Sequence, residues 1–204
     1  MMCGRYVFNM GRERFEAAYA VQAPLSLEPR FNIAPTQRAP IIRLEQETPV
    51  ATMLEWGIRS HGKPVINARS ETILEKPLFR DSFASQRCLV AATGWYEWRN
   101  LDGQKYPYHL GLESGQEMAF GGVWRGDEFS VLTTRAAEGF EHIHDRMPVI
   151  LTKERWKIWL ADTPLAEITA MLEPHDPRDL DAYMVGQRVG SVKNDDSNLL
   201  EGLF

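Results

Sequence analysis

Cysteine is scarce in this chain. Only Cys3 and Cys88 occur in 204 residues. They form no CxxC pair and no zinc-ligand spacing, so neither a disulfide framework nor a structural zinc site is indicated. Positive charge is not in excess either: 23 Lys and Arg stand against 28 Asp and Glu, a net charge of −5. That excludes gross electrostatic attraction to nucleic acid. It does not exclude a local basic cleft, because the field depends on where the charges sit. No apolar run reaches the ~18–20 residues that spanning a bilayer requires, and Arg5, Arg12, Glu13 and Arg14 break any signal-peptide core at the start. Repeats and low-complexity tracts are absent. The expectation is a reduced, cytoplasmic, soluble monomer, one domain over residues 1–204, with no membrane contact and no metal or cofactor.

What the chain does have is ordinary globular material, 44% hydrophobic and 25% charged, long enough to bury a sizeable core. Residues 11–21 read as a helix with Phe15, Ala18 and Tyr19 on one face, and residues 29–40 as a loop rich in proline and asparagine. Strand-like runs follow at 41–44, 50–56 and 65–68. Short helical stretches flank Pro77. The middle is strand-dense, at 88–93, 95–99, 106–112, 118–124 and 129–134, with turn signals at 100–103, 114–115 and 126–127. Two late helices are expected, one with Trp156, Trp159 and Leu160 on a face. The other has Thr163 as N-cap and Pro164 at the first helical position, and carries Leu165, Ile168 and Leu172. Residues 183–192 read as a closing strand. Strands in runs with helices at the edges give an α+β class: a mostly antiparallel, barrel-like sheet core with flanking helices.

The most informative placement is Cys3, in Met1-Met2-Cys3-Gly4-Arg5. With both methionines removed, Cys3 carries a free α-amine and a thiol on adjacent carbons. The amine, with a reference pKa of about 7.7–8.0, is substantially neutral near neutral pH. Such a pair condenses with an aldehyde to an imine, and the thiol closes onto the imine carbon to give a thiazolidine, which no internal cysteine can do. By itself, a cysteine near the start is more simply chance.

Three other segments could carry chemistry. In 65–72, Asn67 and Arg69 share one face of a strand and could bind an oxygen and a phosphate; in isolation, a strand end with a turn-forming asparagine is the plainer reading. In Gly94-Trp95-Tyr96-Glu97-Trp98, alternation puts Glu97 on the face of Trp95. Desolvation there raises a carboxyl pKa toward the range useful for acid–base work; the plainer reading is an exposed strand glutamate. In 143–151, His144 stands before an apolar strand, where it could act as general acid or base, although a lone loop histidine is usually surface. His142 and His144 suggest a metal pair, but no third ligand accompanies them. Cys88, in an apolar run, reads as core, as do Trp156 and Trp159.

Together these segments resemble the SRAP family, the SOS response-associated peptidase-like proteins. The matching stretches are Cys3-Gly4-Arg5, residues 30–37, Trp56-Gly57, 66–72, 76–80, 87–90, 94–98, Pro107-Tyr108, 132–134 and 143–148, with a looser echo at 189–195. The resemblance implies covalent capture of abasic sites in single-stranded DNA, with the N-terminal cysteine forming a thiazolidine with the ring-opened sugar. It implies catalytic roles for Cys3, Asn67, Glu97 and His144. It also implies DNA contacts from Arg5, Arg69, Arg80 and Arg146, with Asn32, Pro35 and Thr36 in a loop beside the site and Trp56 as an aromatic wedge. Lyase and self-processing peptidase steps are associated possibilities, and the protein would sit on the nucleoid when bound to DNA.

Two departures stand out. The family usually starts Met-Cys, whereas here two methionines precede the cysteine, so initiation at Met2, self-cleavage and a blocked form all remain open. Gly190 stands where the family usually carries asparagine. The rival readings are an N-terminal-nucleophile amidohydrolase or peptidase and a non-catalytic single-strand binder.

Overall fold

The computed structural model describes residues 3–203, so the expected loss of Met1 and Met2 lies outside the described residues. In chain order the elements are β1 (Tyr6–Phe8), α1 (Arg12–Tyr19), β2 (Arg30–Ile33), β3 (Arg38–Glu45), β4 (Thr48–Trp56), β5 (Ile58–Ser60), β6 (Lys63–Val65), β7 (Asn67–Arg69), α2 (Arg80–Ser85), β8 (Arg87–Ala92) and β9 (Gly94–Leu101). Then come β10 (Gln104–Leu112), β11 (Met118–Arg125), β12 (Glu128–Arg135), β13 (Arg146–Pro148), β14 (Ile150–Thr152), α3 (Lys153–Leu160), α4 (Leu165–Thr169) and β15 (Leu180–Met184). None of the described helices is long and apolar enough to cross a membrane.

Two sheets carry the fold. One runs β15-β10-β9-β1-β2; the other runs β13-β12-β4-β3-β8-β11-β14, and the β11–β12 pairing joins β12, β4, β3, β8 and β11 into a closed ring. The pairings are antiparallel except where β12 runs parallel to β4 and to β7. The expected α+β class with a mostly antiparallel sheet core is what the chain forms.

Strand alternation explains how the sheets pack. Tyr6 and Trp95, opposite each other in the β1–β9 register, both meet Phe120 of the second sheet edge-on, at 5.8 and 6.0 Å between ring centroids. Their strand neighbours Val7 and Tyr96 point the other way, into a smaller core with Val185, Val189 and Leu199. Hairpin β9–β10 turns at Asp102 and Gly103, with φ of 50° and 85°. Asn100 Oδ1 accepts from the Gly103 amide at 3.0 Å, as expected of a tight turn with left-handed central residues.

Several expectations need correcting. Much of the 29–40 loop is strand: β2 pairs with β1, and β3 begins at Arg38. Its prolines and asparagine suggested a loop, but β2 is an edge strand, where interrupted pairing is tolerated. The run at 65–68 is broken at Ile66 between β6 and β7. The closing strand starts at Leu180 and stops at Met184; beyond it come single helical turns at Gln187–Gly190 and Ser197–Leu200. Pro164 is itself the N-cap of α4, and Leu165 is exposed.

The segment after β15 is a strap. It starts from one edge of the first sheet and returns to β2 at the other, covering the smaller core. Asp195 ties it down: its Oδ1 accepts from the amides of Phe31 (2.5 Å) and Asn32 (3.0 Å), and its carboxylate pairs with Arg30.

Candidate active site

β1 delivers Cys3 to β9. The Tyr96 amide donates to the Arg5 carbonyl at 3.0 Å, and this pairing lays Cys3 beside Glu97. The Cys3 nitrogen donates to Glu97 Oε1 at 2.8 Å, between residues 94 apart in sequence. In the full chain that nitrogen is a peptide amide; it becomes the α-amine if the bond before Cys3 is cut. Both residues are buried, Cys3 at 3% and Glu97 at 2% exposure. Burial disfavours the carboxylate and raises the Glu97 pKa to about 7. Burial, reinforced by the charge of Glu97, pushes the Cys3 thiol well above its ordinary value. Near neutral pH the thiol therefore keeps its proton, and the group poised to take it is the neighbouring carboxylate.

His144 lies in the turn before β13. The Arg146 amide donates to its Nδ1 at 3.1 Å, and Asp145 Oδ1 lies 2.9 Å from the same atom. Nδ1 cannot serve both at once. An N–H needs a bare acceptor, while a carboxylate needs a protonated donor. Burial lowers the His144 pKa and favours the neutral ring, with Nδ1 accepting from Arg146 and the proton on Nε2. Glu97 and His144 both line an open cleft of about 570 Å³, with Arg5, Trp98, Asn100, Lys105 and Gly190 also on its walls.

The remaining expected residues fall in different places. Asn67, half-buried, and Arg69, exposed, lie on β7 beside Val131 and Thr133 of β12. Arg146 is held bidentately by Glu71 at 2.7 and 2.9 Å and donates to the Thr133 carbonyl at 2.6 Å. Arg5 is half-buried and donates to Asn32 Oδ1 at 3.0 Å and to the carbonyls of Val189 (2.7 Å) and Gly190 (3.2 Å). Arg80 is exposed on α2, paired with Asp81 at 3.0 Å. Pro35 is half-buried and Thr36 exposed. Thr36 has φ of 69°, an unusual conformation for a β-branched residue.

Two expected DNA contacts are corrected. Trp56 is 1% exposed, stacks on Phe129 and donates from Nε1 to the Ile66 carbonyl at 2.9 Å. It is a core residue with no face to offer a base. Its carbonyl instead accepts from the Thr36 amide at 2.8 Å, so it braces the loop from beneath. Asn32 is fully buried at 0% exposure, and all of its side-chain bonds are internal.

Sequence reasoning gave no site role to Trp98, Asn100 and Lys105 on the cleft walls, and weighed His142 only as half of a metal pair with His144. Asn100 and Lys105 face each other across the β9–β10 hairpin, whose turn the sequence signalled at 100–103. Nothing in the sequence pattern pointed to Glu71 as the partner of Arg146.

The profile of SOS response associated peptidase (SRAP) proteins matches residues 2–192. The chain belongs to the SRAP family. It is 34% identical to the abasic site processing protein YoqW of Bacillus subtilis, over 98% of this chain and 99% of that protein. It is 28% identical to the abasic site processing protein YedK of Escherichia coli, again over 98% and 99% of the two chains. A Bacteroides thetaiotaomicron protein of known structure superposes with a TM-score of 0.88 at 26% identity, covering 99% of this chain and 100% of that one. Within this SRAP fold the departure at Gly190 has a simple account. Arg5 reaches the backbone carbonyl of residue 190, a contact that does not depend on the side chain there.

Proposed function

We propose that this protein processes abasic sites in DNA, capturing the ring-opened sugar of a single-stranded site through Cys3 as a thiazolidine. The observation that carries the reading is the 2.8 Å contact between the Cys3 nitrogen and a buried carboxyl whose pKa, beside that nitrogen in its uncharged form, is about 7. A general acid–base group working near neutral pH needs a pKa in that range.

His144, through Nε2–H, hydrogen-bonds the sugar ring oxygen as the hemiacetal opens to the aldehyde; the anomeric hydroxyl gives its proton to water and the ring oxygen takes one from water. The Cys3 amine attacks the aldehyde carbon, and Glu97 takes a proton from the nitrogen. Glu97 hands it to the former carbonyl oxygen, making the carbinolamine hydroxyl, then relays the second nitrogen proton to that hydroxyl, which leaves as water and gives the imine. The Cys3 thiol then adds to the imine carbon; its proton passes to Glu97 and on to the ring nitrogen. One water is lost and nothing is oxidised or reduced. Asn67 orients the amine or the sugar oxygens. Arg5 and Arg69, with Arg80 and Arg146 in lesser roles, hold flanking phosphates through charge-assisted bonds, and Pro35 and Thr36 edge the path of the strand.

The chemistry requires a chain that begins at Cys3. The φ of 37° at Cys3 favours that processing, because a left-handed backbone costs a residue with a Cβ roughly 1–2 kcal/mol and cutting the preceding bond relieves it. A hydrolytic role with Cys3 as thiolate nucleophile is less favoured, since its thiol pKa is raised where such enzymes lower it.

The test is intact mass before and after incubation with abasic single-stranded DNA. The expected result is a chain lacking both methionines and a stable adduct that has lost one water. Cys3→Ser should keep a borohydride-trappable imine and lose the stable adduct, while Cys88→Ser, fully buried at 0% exposure, should behave as the parent. Full adduct yield from protein retaining Met2, or from Cys3→Ala, would overturn the proposal.

A further inference from the structure

Asn32 is fully buried, yet its side chain is polar and spends every bond on two things. Oδ1 accepts from Arg5 Nη1 at 3.0 Å. Nδ2 lies within donor range of three carbonyls of the strap: Val189 at 3.2 Å, Ser191 at 3.1 Å and Asn194 at 2.8 Å. Arg5 completes the arrangement by donating to Val189 and Gly190. Arg5 and Gly190 line the cleft that holds Glu97 and His144; Asn32 does not. A buried amide that satisfies itself this fully fixes a single geometry, because any displacement strands several polar groups at once.

We propose that Asn32 is a positioning residue for DNA capture, acting through Arg5: its amide locks the Arg5 guanidinium and the 189–194 backbone into one rigid cleft wall, which aims the remaining Arg5 N–H groups at the nucleic acid. The proposal rests on the DNA reading above for its consequence, although its structural half stands without it. An aspartate at this position would keep the acceptor for Arg5 and lose both donors, turning an oxygen toward three carbonyl oxygens. The wall would then part from Arg5 while the charge of Arg5 remained.

The experiment has two arms. Hydrogen exchange of Asn32→Asp should show faster exchange across 186–195, by about tenfold or more for loss of at least one buried hydrogen bond, with the exchange of β8 and β11 unchanged. Unchanged exchange in the strap overturns the proposal whatever DNA does. In single-turnover capture of abasic single-stranded DNA, Asn32→Asp should raise the half-saturating DNA concentration about tenfold, with the maximal rate within about twofold of the parent. In an Arg5→Ala background the same substitution should add little, because the two act as one unit. Equal falls in maximal rate, or full additivity with Arg5→Ala, would overturn the positioning role. If Asn32→Asp fails to fold, Asn32→Ser, which keeps one small donor and acceptor, is read by the same criteria. If the parent itself makes no adduct, the DNA reading fails; the half-saturation arm is then run as binding of intact single-stranded DNA, and absence of any Asn32 effect there also overturns the proposal.

Discussion

Replacing Glu97 by glutamine keeps the shape and hydrogen-bonding capacity of the side chain and removes its titration. In the folded chain Glu97 titrates at about 7 against a reference of 4.5. A raised carboxyl pKa means that the folded state binds the proton more tightly than the unfolded state. The associated stability is therefore fully present below pH 4.5 and is lost as pH rises through 7. The difference of 2.5 pH units corresponds to about 3 kcal/mol at 1.36 kcal/mol per unit. For a chain of this size that is roughly 6–12 °C in melting temperature. Thermal melts of the chain with Cys3 still in peptide linkage should thus show wild type and Glu97→Gln close together at pH 5. At pH 8.5 the glutamine variant should melt higher. In chain beginning at Cys3 the gap should shrink, because an ammonium 2.8 Å from the carboxylate offsets its desolvation. Capture of abasic DNA by Glu97→Gln should slow by ~10²–10⁴-fold, the usual span of general acid–base catalysis. A glutamine variant that melts at or below wild type at pH 8.5, or that captures DNA at full rate, would refute the assignment.

His144→Ala should slow capture most for a closed-ring abasic site and least for a substrate presented as an open aldehyde; equal defects on both would remove its role in ring opening. Gly94→Ala would place a Cβ 2.3 Å from His109 Nε2 and 2.8 Å from the Leu110 carbonyl, so it should destabilise by about 1–3 kcal/mol, and an unchanged melting temperature would show that the ring has room to move. His109 is buried and its pKa falls to about 4 from 6.5, so its neutral form contributes stability above pH 6.5 that is lost as pH drops toward 4. His109→Gln should flatten that loss and move acid unfolding to lower pH, read by circular dichroism across pH 3–7.

The sequence made the strand-dense middle, α1 and the alternation around Glu97 legible because each follows a period set by backbone geometry. Trp95 and Glu97 do share a face, and the carboxyl is as desolvated as its neighbours suggested. What a period cannot show is which polar residue faces solvent and which braces the interior. Asn32 and Trp56 sit in matching motifs and were expected at the DNA surface; both are buried, and their bonds run to segments distant in sequence or to backbone carbonyls. The 29–40 and 183–192 segments were misread for a related reason. Their conformations are set by each other, through the bonds of Asn32 to Val189 and Ser191, and a local window holds only one side of that agreement.

The strap has a consequence for biosynthesis. Arg5 bonds to a carbonyl 184 residues further along, and Asn32 to one 162 residues away. Translation delivers Cys3 long before Val189, so on the proposed reading a ribosome-bound chain carries its reactive cysteine before the strap that walls the cleft exists. Closure of the cleft is accordingly a late folding event with a high loop-closure cost. Any early exposure of the aminothiol would leave it open to every small aldehyde in the surroundings. A cut before Cys3 made only after the strap has seated would close that window of vulnerability, and the order of these two events decides how much of the newly made protein reaches its target with its chemistry unspent.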